Sequence, residues 1–133
     1  LENLGNTQLA FSPNIVGGSA IMYVPSNRFQ IGLLSKYVGK QYMGNIDSEN
    51  STLEAYFVND LNAVFTWKPN KWVSEIQWSF LINNIFDKRY ESNGYFYTYD
   101  DSWSTPGQVT TIEGAGYYPQ AGINFLTGVI LRF

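Results

Sequence analysis

With neither Cys nor His in the chain, thiolate nucleophiles, imidazole bases, imidazole metal ligands and any Ser-His-Asp triad are excluded together. Carboxylates and aromatic rings remain. The carboxylates cluster at Asp100-Asp101 and at Asp47 with Glu49. A hard cation wants several oxygens, and this spacing fits no EF-type loop, so both clusters read as solvated loop. A glycosidase needs two carboxylates held across a scissile bond, and no pair here is fixed that way. Gly114-Ala115-Gly116 lacks the third Gly and the helix of a dinucleotide fingerprint, and reads as loop or bulge. Asn50-Ser51-Thr52 matches the pattern of a glycosylation acceptor. No catalytic residue, cofactor or metal site is expected, and the chain does not read as an enzyme. The rings are the better candidates. Tyr95, Phe96, Tyr97, Tyr99 and Trp103 form a dense run. Tyr95, Tyr97, Tyr99 and Trp103 are candidate ligand contacts, able to stack on a sugar or another ring, or to pack on neighbouring loops.

What positions those rings is read from composition and period. The 133 residues carry a net charge of -3, only 14% charged and fully 17% aromatic residues. That balance opposes a nucleic-acid partner, which calls for a basic patch. It is poor in charge for a soluble surface and too aromatic for disorder. No apolar run approaches the ~18 residues of a membrane helix. Strand period is clear instead. In 72–83 the even positions Trp72, Ile76, Trp78, Phe80 and Ile82 oppose Glu75, Gln77 and Ser79. In 122–133, Ile123, Phe125, Val129, Leu131 and Phe133 share a face with Thr127. The stretches 53–67 and 28–42 alternate similarly, and 15–24 weakly, around Gly17-Gly18. Five strands are therefore expected, longer than the ~5–6 residues of ordinary strands and close to the ~9–11 that cross a bilayer.

The connections alternate too. Pro25-Ser26-Asn27 and Pro69-Asn70-Lys71 are tight turns, while 43–52 and 84–120 are long links. Short turns on one side and long loops on the other is the outer-membrane pattern. Tyr23, Phe29, Trp67, Trp72 and Phe133 fall toward the short-turn end. Tyr37, Tyr42, Tyr56, Phe57, Phe80 and Phe125 fall toward the other, as two interfacial girdles would. Lys36, Lys40, Glu54, Asp60, Glu75 and Arg132 would face a wet lumen. The expected fold is all-β: an antiparallel transmembrane β-barrel segment spanning 1–133. Two other readings remain open. One is a soluble β-sandwich carbohydrate-binding module that buries the Trp72–Ile82 face. The other is a porin-like barrel of a different class.

Four segments resemble the C-terminal barrel region of TonB-dependent outer-membrane receptors. The most specific is Leu81-Ile82-Asn83-Asn84-Ile85-Phe86-Asp87-Lys88-Arg89-Tyr90; the others are Tyr117–Phe125, Ser12-Pro13-Asn14 and Tyr37–Tyr42. Ile123-Asn124 stands where many relatives place an Arg before the last strand's Phe. The end of the chain looks like the β-signal read by the barrel assembly machinery, with Thr127, Gly128, Leu131 and Phe133 in its places. The resemblance implies the last five strands of a barrel of about 22. It also implies a place in the outer membrane of a Gram-negative bacterium and a role in importing a metal chelate, vitamin or glycan. The implied partners are outer-membrane lipid, a plug domain and the rest of the barrel ahead of Leu1, and the TonB complex reached through that part. The opening Leu1-Glu2-Asn3, without Met, is expected to mark a fragment or a processed product.

Overall fold

The computed structural model describes residues 5–69 and 72–133. The structure is all-β and antiparallel. Its strands are β1 (Val16–Ser26), β2 (Phe29–Val38), β3 (Gln41–Tyr42), β4 (Thr52–Leu53), β5 (Tyr56–Trp67), β6 (Glu75–Asn83), β7 (Glu91–Asp101), β8 (Thr110–Pro119) and β9 (Asn124–Arg132). The chain divides into two compact units.

One unit holds residues 16–37, 57–89 and 121–133 and contains a five-stranded sheet in the order β1-β2-β5-β6-β9. Each strand neighbours the one before it in the sheet, so the connectivity is a meander. The Thr66 N–H donates to the Arg28 carbonyl at 2.7 Å, which places both tight connections at the same end of the strands. The register stacks Leu61, Ile82 and Phe125 in one row, Phe65, Trp78 and Val129 in another, and Trp67, Ile76 and Leu131 in a third. The reverse face carries Thr66, Gln77 and Ile130, then Val64, Ser79 and Gly128. Across β5, β6 and β9 one face is thus mostly apolar while the other is mixed, as a period of two demands. The apolar face is uncovered: Phe125 is 81% exposed, and Phe65, Trp78, Phe80, Val129 and Leu131 are also exposed. No strand closes the sheet: β1 and β9 are its two edges among the described residues.

The other unit holds residues 1–15, 38–56 and 90–120. It contains the small β3–β4 pair, a single 3-10 turn (Glu49–Ser51) and the β7–β8 hairpin. Its core includes Val38, Met43, Leu53 and Tyr56, and Tyr56 stacks on Tyr90 with centroids 4.3 Å apart.

Several boundaries differ from the sequence reading. The expected strand 28–42 breaks after Val38, where the Gly39 N–H turns to the Ile15 carbonyl at 2.8 Å. The expected strand 53–67 is interrupted at Glu54-Ala55. The expected strand 72–83 begins at Glu75, because the Ser74 N–H and hydroxyl both bond the Arg132 carbonyl and fix the entry. The link 84–120 is not a plain loop but contains β7 and β8, so Gly114-Ala115-Gly116 lies inside a strand. Of the turn at Pro69-Asn70-Lys71, Asn70 and Lys71 lie outside the described residues.

Candidate functional site

The ring cluster is built by the hairpin register. Tyr95 pairs with Gly116, Tyr97 with Gly114 and Tyr99 with Ile112. A Cβ on Gly116 would strike the Tyr95 ring, and one on Gly114 the Tyr97 ring. Tyr95 and Tyr97 therefore lean across the partner strand, into room that only glycine leaves. The result is a ladder. Centroids of Tyr95 and Tyr97 lie 6.4 Å apart with planes 15° from parallel; Tyr97 and Tyr99 repeat this at 6.5 Å and 15°. Trp103 extends the row from Tyr99 at 6.3 Å and 9°, and Tyr118 joins the other end beside Tyr95 at 6.1 Å and 52°. The spacing is that of residues i and i+2 on a strand, whose side chains share a face.

Trp103 lies beyond β7 and would not continue the row by strand geometry alone. Its place is set by Asp101, whose carboxylate accepts the N–H groups of Trp103 and Ser104, each at 3.1 Å. Hydrogen bonds from Ser104 and then from the Trp103 N–H hold the Asp101 carboxyl below the ordinary carboxylate range.

The hairpin's other face is occupied. Phe96 lies against Gly44, and a side chain at Gly94 would strike Met43. Glu113 accepts from the Ser48 hydroxyl at 2.7 Å and from the Asn50 amide at 2.8 Å, and these bonds lower its pKa. The Tyr117 hydroxyl donates to the Asn50 carbonyl at 3.2 Å. Among the described residues the ladder face has no such cover: Tyr95 and Tyr97 are each 52% exposed and Trp103 is 72% exposed.

All four predicted ring residues are thus brought together. Tyr118, Gly114 and Gly116 complete the arrangement and were missed. Their signal was a Gly-x-Gly spacing that matches the Tyr-x-Tyr spacing, legible only if both segments are read as paired strands.

Of the four residues expected to form a β-signal, Thr127, Gly128 and Leu131 fall on β9. Thr127 accepts from the Trp78 indole N–H at 2.8 Å and donates to the Ser79 carbonyl at 3.2 Å. Gly128 sits opposite Ser79 on the reverse face, and Leu131 opposite Ile76 on the apolar face. Phe133 follows β9 and is 88% exposed.

Within Asn83–Tyr90, the specific part of the family-like block, residues Asn83 to Lys88 form a structural clip. Asn84 is buried with φ +51°, a conformation Asn tolerates better than most residues. Its amide oxygen accepts the Lys88 N–H, and its amide nitrogen donates to the carbonyls of Lys88 and Ala121. Its own N–H donates to Asp60, and the next N–H, of Ile85, donates to the Asn59 carbonyl. Asp87 accepts the Ile123 N–H at 2.9 Å, and Asn83 donates to Asn124 at 2.9 Å. The ends of β5, β6 and β9 are tied by these bonds.

The charged residues expected in a lumen divide. Glu75 bonds Arg132 at 2.7 Å and Lys68 at 3.3 Å, and Asp60 serves the clip. Lys40 lies outside the five-stranded sheet and pairs with Glu49 at 3.3 Å, and Glu54 also lies outside it. Tyr42 and Tyr56 likewise leave the expected girdle: Tyr42 belongs to β3, and Tyr56 is buried on Tyr90. Phe80 stands mid-strand, opposite Ala63 and Thr127. No group of three or more acidic side chains is placed to hold a metal among the described residues. No helix is long and apolar enough to cross a membrane, which says nothing of strands.

No protein-family model matches the chain, and neither does any curated protein or solved structure.

Proposed function

We propose that this chain is barrel wall and outer loops of a TonB-dependent receptor in the outer membrane of a Gram-negative bacterium, importing a scarce nutrient. The observation that carries the reading is the uncovered apolar face of a five-stranded meander, whose strands run 9 to 12 residues. In water such a face would be an aggregation surface. Against acyl chains it is matched, and strands of this length suit a hydrocarbon core of about 30 Å when tilted. A sandwich module would bury the face under a second sheet, and this unit has one sheet layer among the described residues. On this reading the two open edges pair with further strands of the same barrel, and the mixed face looks toward a plug. The barrel assembly machinery reads Thr127, Gly128, Leu131 and Phe133 at the end of β9. TonB engages a part of the receptor ahead of this chain.

The test is fractionation of cells making the native polypeptide, followed with an antibody to the β7–β8 hairpin. The expected result is an outer-membrane polypeptide released only by detergent and much heavier than 15.1 kDa. A soluble product of that small mass would overturn the proposal in favour of the sandwich module.

A further inference from the structure

The β7–β8 hairpin spends its exposed face in an unusual way. An open sheet face is ordinarily covered by protein or left charged. This one carries five rings, four of them tyrosine, with Ile112 as the aliphatic neighbour. Every ring has a polar tip, an O–H or indole N–H, at the edge of an apolar body. The Tyr95 and Tyr97 rings lie over Gly116 and Gly114, and the last ring is locked by a carboxylate cap on its own backbone. Such a surface is organised before anything binds, which lowers the entropy cost of binding.

The charge pattern narrows the ligand. Between Glu91 and Pro119 the chain has four carboxylates (Glu91, Asp100, Asp101 and Glu113) and no Lys or Arg. Anionic polymers, nucleic acid included, are repelled. A lipid or protein core would be met by aliphatic side chains rather than by a row of phenols. The chemistry that suits half-exposed rings with hydrogen-bonding rims is a string of flat, neutral, hydroxyl-rich rings. Such a ring is apolar on its faces, where C–H groups meet an aromatic face, and polar at its edge.

We infer that the Tyr118–Tyr95–Tyr97–Tyr99–Trp103 ladder binds a neutral oligosaccharide laid along β7, its pyranose faces on the aromatic rings. The site belongs to the hairpin alone and does not depend on the membrane reading, so each can fail separately.

The test is calorimetry on the native polypeptide, in detergent if its fractionation requires it. The probes are cellohexaose and maltohexaose, with a chitosan hexamer as cationic and an oligogalacturonate as anionic comparator. Binding of a neutral hexamer is expected, little changed by salt. Tyr97→Ala should weaken it about tenfold, the size of one lost stacked ring. Tyr97→Phe keeps the ring and should stay within about threefold of the parent, a hydrogen bond's worth. Gly116→Ala, which lifts the Tyr95 ring while leaving it in the sequence, should weaken binding as a Tyr95→Ala change does. Tyr117→Phe, on the docked face, should have no effect. The inference is overturned if neither neutral hexamer binds, if only the cationic comparator binds, or if Tyr97→Ala binds like the parent.

Discussion

The five-stranded sheet and the β7–β8 hairpin share a geometry, long antiparallel strands with an exposed ring-bearing face, and differ in what that face is made of. Across β5, β6 and β9 the sheet shows mostly side chains with no polar atom, Phe65, Phe80, Ile82, Phe125, Val129 and Leu131, with Trp67, Trp78 and Thr127 among them. The hairpin shows tyrosines and a tryptophan. A strand offers alternate side chains to each face whatever they are, so backbone geometry does not say what a face meets. The side-chain chemistry does: hydrocarbon suits the first, and water with an amphipathic ligand suits the second. The polar bonds differ in parallel. The sheet unit spends them at the strand ends, in the Asn84 clip and the Glu75 ion pairs. The hairpin unit spends them on the face opposite the ladder, at Glu113, and at the ladder's tip, at Asp101.

That contrast can be broken most severely on the sheet's apolar face. Val129→Arg should cost about 2–4 kcal/mol in lipid, whereas Gln77→Arg on the reverse face should cost under ~1 kcal/mol. Equal costs in a denaturant titration of folded, vesicle-inserted protein would show that the two faces meet the same medium. Asn84→Ala comes next. It strands the buried carbonyls and N–H groups that the clip serves, and should destabilise the sheet by about 2–3 kcal/mol. The Trp78 fluorescence transition should move while the hairpin's near-ultraviolet tyrosine signal holds. Gly94→Ala should do the reverse at roughly 1–3 kcal/mol, because its Cβ meets the Gly116 backbone carbonyl, which cannot swing aside.

The smallest effect is on pH. The carboxyls of Glu113 and Asp101 titrate below their ordinary values in the folded hairpin, each through its hydrogen bonds. A depressed folded pKa contributes stability that is full above the ordinary carboxylate value and is lost as pH falls through the depressed one. The hairpin signal should therefore weaken on acidification below about pH 4. Glu113→Gln should make that loss shallower and leave the sheet's response alone.

How much of this was open to reading depended on pattern strength. Where alternation joined apolar to polar residues, as in Glu75–Asn83, the strand and its faces followed from period alone, because burying one side of a pleat imposes it. The strand ends did not follow, since Ser74 and Gly39 are set by bonds to Arg132 and Ile15, far off in sequence. Nor did β7 and β8 follow. Glu91–Asp101 sets Tyr against Phe, Thr and Asp, so neither face reads as apolar. Thr110–Pro119 includes two glycines, which weaken any strand signal.

The sequence by itself determined the all-β class, the five strands of the larger sheet and the two unlike faces of its last strands. It also brought Tyr95, Tyr97, Tyr99 and Trp103 forward as the rings to watch. Tertiary structure alone decided that those rings form a row, because the row depends on which residue stands across from each. Opposite Tyr95 and Tyr97 stand Gly116 and Gly114, and only glycine leaves a ring room to lie across its neighbour. It likewise turned Asn84 from one residue of a motif into the knot that ties three strands, since hydrogen bonds to Asp60 and Ala121 exist only once the chain has folded back on itself.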